Sequence, residues 1–266
     1  MPTKPPAVRV SAPASRAALP AKARPSRAQL TSSARWALIG STLVTLAIYL
    51  TPGLQLVAIP LLYLSTMVHE MGHGVGALLA GGDWIEFRMF ADGSGYARSA
   101  REAGFDSALT ASAGLVGPAI AAAVFMVLGL RARLARFGLG AAGLFFGFTL
   151  VFYVRGSFGV AFVAAVAGIC LYIAVRASDE TARIALLFFA TQLALSVYSR
   201  GDYLFTDYVS GQMSDGQRHA SDTQHMADAV GMTYWFWGLV CAAFSAAVLA
   251  LAAWLYIREP RRRLDT

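Results

Sequence analysis

The sequence predicts an all-α polytopic membrane protein with about six to eight transmembrane helices and a small interfacial β-hairpin. Of the 266 residues, 57% are apolar and only 14% are charged, and the mean hydropathy is +0.55. An average soluble domain carries about a quarter charged residues. These values exclude a disordered chain, a coiled coil and an ordinary soluble α/β enzyme.

Seven apolar segments account for the predicted helices, because each approaches the length needed to cross a bilayer. They lie at 36–50, 54–80, 108–130, 137–154, 158–175, 182–198 and 232–257. Polar stretches at 83–106 and 200–230 separate some of them. If each segment is one span, the N-terminal tail and both polar stretches lie on the same side, which we take as the cytoplasm.

The charges divide the chain into three parts. Residues 1–35 form a tail with seven Lys and Arg residues, no acidic residue and no aromatic until the first helix, so we expect a disordered basic arm. An organellar transit peptide is the alternative, but the prolines of the tail disfavour an amphipathic helix. Residues 36–257 form the transmembrane domain, and 258–266 form a basic C-terminal tail. Without aromatics beside the basic residues, we expect no nucleic-acid partner.

A His-Glu-x-x-His motif lies in the second apolar segment. On a helix His69 and His73 share a face, so both imidazoles can reach one metal ion, and Glu70 is placed to take a proton from a metal-bound water. Ionisable groups inside a span are unfavourable by about 2.5 to 3.5 kcal/mol for a central charge. Their presence favours a functional site over polar side chains that are simply satisfied within the bundle.

The polar stretch 200–230 is the expected source of a third ligand. It contains five aspartates and the two remaining histidines, His219 and His225. Asp222 lies in Ser-Asp-Thr-Gln, a pattern typical of a helix N-terminus, so its role is either a cap or a ligand. Asp202 and His225 are the next candidates.

Residues 84–98 alternate apolar and charged side chains around a glycine-rich centre, which predicts a β-hairpin. Gly93, Ser94 and Gly95 form that centre, and the exposed edge of such a hairpin can pair with an extended peptide. A plain connecting loop is the alternative.

Taken together, these motifs resemble the site-2-protease family of intramembrane zinc metalloproteases, in the branch that lacks a PDZ domain. The resemblance is carried by His-Glu-Met-Gly-His, Gly81-Gly82, Asp-Gly-Ser-Gly, the Ser112–Pro118 run of small residues and the late Ser-Asp, and it covers about residues 65–250. It implies Zn²⁺ held by His69, His73 and Asp222, with Glu70 as general base. The match of Asp222 depends on Ser-Asp alone, because the chain lacks the Asn-Pro…Leu-Asp-Gly motif of other members.

The resemblance implies a zinc endopeptidase that cleaves membrane proteins or peptides, with Gly93, Ser94 and Gly95 holding the substrate. We expect a multi-pass protein of the bacterial inner (plasma) membrane, in contact with the lipid bilayer. A non-proteolytic metal-binding membrane protein, acting as a regulatory binder or chaperone, is one alternative. A transporter of metal ions or protons is another.

Overall fold

The structure is a computed structural model that describes residues 27–51, 53–100, 102–199, 204–209 and 219–258. These residues form eight helices: α1 (Arg27–Leu50), α2 (Gln55–Leu79), α3 (Phe105–Gly129), α4 (Ala132–Phe152), α5 (Ser157–Arg176), α6 (Asp179–Ser199), α7 (Asp222–Val230) and α8 (Tyr234–Arg258). They also form five strands: β1 (Asp83–Met89), β2 (Gly95–Ala100), β3 (Val154–Arg155), β4 (Tyr208–Val209) and β5 (His219–Ala220).

Five of the described helices, α3, α4, α5, α6 and α8, are long and apolar enough to cross a membrane. With α1 and α2 they make seven long helices in the described residues, one for each apolar segment. The prediction of an all-α polytopic membrane protein is therefore confirmed. Helix α1 begins at Arg27, so the last part of the predicted basic tail is helical, while residues 1–26 and 259–266 lie outside the described part of the chain.

The predicted hairpin is present. Strands β1 and β2 pair antiparallel, and β3 adds to the other edge of β1 in parallel, giving the order β2-β1-β3. The turn depends on Gly93, whose φ of +89° is a conformation that glycine adopts without strain. The side chain of Asp92 closes the turn by accepting hydrogen bonds from the backbone and hydroxyl of Ser94.

Small residues allow α2 to pack closely against α3 and the hairpin. A Cβ atom on Gly72 would lie 2.5 Å from the carbonyl oxygen of Ala113, and one on Gly76 would lie 2.5 Å from the Ala113 side chain. A Cβ on Gly74 would overlap the ring of Trp84 in β1. Close contact between backbones is the usual role of small residues between membrane helices, and here it brings α3 to the face of α2 that carries the histidines.

One end of the bundle holds the start of α1, the end of α3, the start of α6 and the end of α8. Leu187 of α6 and Tyr256 of α8 form a buried cluster there, packed against Leu38 of α1 and Leu130 after α3. The first half of α1 and the last turns of α8 are therefore neighbours.

Helix α2 ends at the opposite end of the bundle, where Gly76 contacts Thr110 near the start of α3. Helices α1 and α2 thus make only one net crossing together. One crossing for each apolar segment would instead bring the start of α1 and the end of α2 to the same end of the bundle. Helix α2 is also absent from the five described helices that are long and apolar enough to cross.

Candidate metal centre

The two histidines of the motif lie one turn apart on α2 and face the same point. Their Nε2 atoms are 3.2 Å apart. Residues four positions apart on an α-helix lie above one another, so the spacing of the motif alone accounts for this arrangement.

Asp222 reaches the histidines because its segment folds into a short hairpin and a helix. Strands β4 and β5 pair antiparallel, and the backbone N–H of Ser221 donates to the carbonyl of Asp207. The hydroxyl of Ser221 then caps α7 by accepting from the backbone N–H of Gln224. The predicted helix start is confirmed, and because Ser221 is the cap, the side chain of Asp222 is left to face α2.

The three ligand atoms form an almost equilateral triangle. Oδ2 of Asp222 lies 3.2 Å from Nε2 of His69 and 3.3 Å from Nε2 of His73, which matches the 3.2 Å between the histidines. A tetrahedral zinc ion with bonds of about 2.0–2.1 Å keeps its ligand atoms about 3.3 Å apart. The donor set, two imidazoles and one carboxylate, is typical of zinc sites that keep a fourth position open. The residues present therefore fit a zinc ion.

The other ring nitrogen of His73 fixes the orientation of that side chain. Nδ1 donates to the carbonyl of Thr110 at 2.9 Å, so the lone pair lies on Nε2, where a metal ligand needs it. Gly114 provides the space for the ring, because a Cβ at this position would lie 2.1 Å from Cε1 of His73. Helix α3 thus supports the metal centre without supplying a ligand.

The carboxylate of Asp222 is buried, and its Oδ2 makes no hydrogen bond within the described part of the chain. A buried carboxylate oxygen that faces two imidazole nitrogens without a hydrogen bond is what a ligand of a cation requires.

The sequence also suggested His225 and Asp202 as the third ligand. The side chain of His225 is exposed, and it is not part of the cluster of His69, His73 and Asp222 found among the described residues. Asp202 lies outside the described residues.

Glu70 lies beside the cluster and under the hairpin. Its side chain is 7% exposed, and none of the described residues donates a hydrogen bond to its carboxylate. A Cβ on Gly95 would lie 3.2 Å from Cγ of Glu70, so the first residue of β2 passes directly over the glutamate. The structure therefore leaves the Glu70 carboxylate available for a substrate or a water.

Two hydrogen bonds hold the hairpin on α2. The hydroxyl of Thr66 donates to the carbonyl of Gly93 at 2.8 Å, and the phenol of Tyr63 donates to the carbonyl of Ala91. Of the three residues predicted to bind substrate, Gly95 is next to Glu70, while Gly93 and Ser94 form the turn beyond it. In the described part of the chain β2 pairs only with β1, so its other edge is available to an extended peptide.

Two supporting residues were not identified from the sequence. Thr110 acts through a backbone carbonyl, for which a sequence carries no signal. Gly114 belongs to the run of small residues that predicts close packing, but the pattern did not indicate that the group packed against it is His73.

Comparison with known proteins adds one match. A family model described as Peptidase M50B-like matches residues 39–252, which is most of the chain and includes all three candidate ligands and Glu70. A search of curated proteins gives no match, and neither does a search of solved structures. The chain therefore belongs to the Peptidase M50B-like family, that is, to the site-2-protease family of membrane metallopeptidases.

Proposed function

We propose that this protein is an intramembrane zinc endopeptidase that hydrolyses peptide bonds of membrane-associated substrates. The observation that carries the proposal is the triangle of ligand atoms from His69, His73 and Asp222, with the buried carboxylate of Glu70 beside it. A site with only a structural role has no need of a carboxylate that is buried and available.

The chemistry divides between the metal and one side chain. Zinc bound to the three ligands would lower the pKa of a water toward about 7 and polarise the scissile carbonyl. Glu70 takes a proton from the attacking water and passes it to the leaving amide nitrogen as the C–N bond breaks. The second water proton is lost from the new carboxyl group and is taken up by the amine, so the products are a carboxylate and an ammonium group, and Glu70 returns to its ionised form.

Besides the metal and the base, cleavage requires an extended substrate, and the hairpin can bind one. The carbonyls of a transmembrane helix are engaged in hydrogen bonds, so the helix must unwind before it can be cleaved. The unpaired edge of β2 offers backbone hydrogen bonds to such an unwound segment, and its first residue, Gly95, lies against Glu70. Gly93 and Ser94 keep this edge in place. The substrate is then a membrane protein or peptide of the bilayer that holds the enzyme, which we propose to be the bacterial inner membrane.

The direct test is Glu70→Gln, which keeps the shape of the side chain and removes the base. We expect the rate of β-casein cleavage by the zinc-loaded protein in detergent micelles to fall by about 10²- to 10⁴-fold. The zinc content should remain that of the wild type, because Glu70 is not among the ligand atoms. Glu102→Gln, at an exposed position before α3, is the matched control and should cleave normally.

Cleavage by Glu70→Gln at the wild-type rate would show the mechanism to be wrong. A wild-type protein that holds zinc but cleaves nothing would favour the non-proteolytic alternative. Zinc flux in proteoliposomes without cleavage would favour a transporter.

A further inference from the structure

A small cavity lies beside the metal centre, on the side away from the hairpin. His69 lines one wall, and serines from three different helices line the others: Ser65 of α2, Ser196 of α6 and Ser245 of α8. The apolar residues Leu115, Pro118, Val197 and Leu204 complete the lining. The cavity has room for one or two water-sized groups.

Two of these hydroxyls have no hydrogen-bond partner among the residues that the structure describes. Ser65 is 6% exposed and Ser245 is 1% exposed, and neither side chain makes a hydrogen bond to any residue that the structure describes. Other buried hydroxyls of the bundle, those of Thr45, Thr191 and Ser196, donate to a carbonyl three or four residues earlier. A buried hydroxyl without a partner is unfavourable, so Ser65 and Ser245 indicate a polar ligand in the cavity.

The cavity has a defined place relative to the two other parts of the site. Ser65, His69 and His73 are spaced four residues apart and so form one row along α2. Thr66 and Glu70 form the neighbouring row, and the hairpin lies over this second row. The ligand atoms thus lie between the cavity and the edge of β2. A peptide strand on β2 with a carbonyl at the metal would have a neighbouring side chain near the cavity.

We propose that this cavity is a specificity subsite that accepts the small, hydroxyl-bearing side chain of a residue flanking the scissile bond. The proposal rests on the endopeptidase activity proposed above. Serine and threonine side chains match the room available, and their hydroxyls supply the missing partners of Ser65 and Ser245. Alanine and glycine fit without these hydrogen bonds, and aromatic side chains do not fit.

The first test compares cleavage sites in a pool of peptides derived from a whole proteome, identified by mass spectrometry. Zinc-loaded wild-type protein should show one flanking position occupied by Ser, Thr, Ala or Gly. The double variant Ser65→Ala with Ser245→Ala should reduce the preference for Ser and Thr over Ala by about five- to tenfold, since it removes up to two hydrogen bonds.

A filling variant tests the room in the cavity. Ser245→Leu should lower kcat/KM at Ser and Thr sites by at least about tenfold relative to Gly sites. Ser41→Ala, at a buried serine of α1 outside the cavity, is the matched control and should leave the site preference unchanged. If the cavity holds only water, all variants cut the same sites in the same ratios, and the proposal is overturned.

A second measurement separates this proposal from the endopeptidase itself. In a protein carrying Cys170→Ala and Cys241→Ala, Ser245→Cys supplies a thiol that methyl methanethiosulfonate labels. A synthetic membrane-spanning peptide with central serines should slow the labelling at least about fivefold, and the same peptide with central phenylalanines should not.

If only the serine peptide slows labelling of the Ser245→Cys protein, and the wild-type protein never cleaves a substrate, the endopeptidase is refuted and the cavity is retained as a binding site. Equal slowing by both peptides, or by neither, would overturn the subsite whatever the activity.

Discussion

The bundle contains two clusters of polar groups, one at each end, and they are built differently. Near the starts of α4 and α6, charges are paired. Arg136 donates to the carboxylate of Asp179 at 2.6 Å and to the carbonyls of Ala174 and Ala177, and Arg183 pairs with Glu180. At the metal centre, the carboxylate oxygen and one nitrogen of each histidine point at one another.

The difference shows what marks a functional site in an apolar protein. A charge removed from water needs compensation, and the Arg136 cluster receives it from within the chain. The triangle of His69, His73 and Asp222 instead brings together three atoms that can each donate an electron pair to one metal ion. The presence of ionisable groups in a membrane helix is only a weak indicator of a functional site. Lone pairs that converge on one point are a stronger indicator, because they specify a metal ion as the ligand.

The largest expected effect is a loss of zinc binding, which depends on the metal centre and not on the Arg136 cluster. Asp222→Ala removes one corner of the triangle, so we expect zinc affinity to fall at least a hundredfold, beyond the tenfold to hundredfold that loss of a supporting residue causes. Zinc per chain, measured by atomic emission after dialysis against a metal buffer, checks this.

Two aspartates serve as controls for that measurement. Asp207→Ala changes an exposed residue of the same loop and should keep the wild-type zinc content. Asp202→Ala tests the other aspartate that the sequence suggested, and it should also retain zinc. Loss of zinc in Asp202→Ala but not in Asp222→Ala would show that Asp202, and not Asp222, is the third ligand.

A smaller loss of zinc affinity is expected when a side chain is added at Gly114, which packs against the His73 ring. Gly114→Ala introduces a Cβ 2.1 Å from the imidazole, so the ring must move, and we expect zinc affinity to fall about ten- to hundredfold. Gly117→Ala, on the same helix, meets its nearest neighbour at 3.5 Å and should bind zinc like the wild type. Equal zinc affinity in both variants would mean that the ring position does not depend on Gly114.

The smallest effect is expected at the paired cluster. Arg136→Ala removes three hydrogen bonds from a partly exposed arginine, so the free energy of unfolding should fall by about 1–2 kcal/mol. Zinc content should not change. Unfolding in mixed micelles, with exposed Arg133→Ala as control, checks the stability. A loss of zinc in Arg136→Ala would remove the distinction between the two clusters.

The sequence predicts the local parts of this site well. The helical spacing of His69 and His73 requires only four residues, and the hairpin requires only alternation and a glycine turn. Ser221 as a cap likewise depends on neighbours in the chain. Each of these features is set by contacts within a few residues, so a pattern in one segment is sufficient.

Long-range features were predicted less well. The meeting of Asp222 with α2 depends on the packing of α7, so residue patterns alone left Asp222, Asp202 and His225 open, and the family resemblance was needed to favour one. The serines of the cavity come from α2, α6 and α8 and form no motif in any one of them.

The position of the first and last helices has a consequence for mapping the protein in a cell. Because the first half of α1 packs against the end of α8, reporters fused before α1 and after α8 should report the same compartment. Arg131, Arg133 and Arg136 lie at this end as well, and positive residues favour the cytoplasm. Two terminal reporters that are both cytoplasmic, with a third in the loop between α6 and α7 on the other side, would establish an even number of crossings.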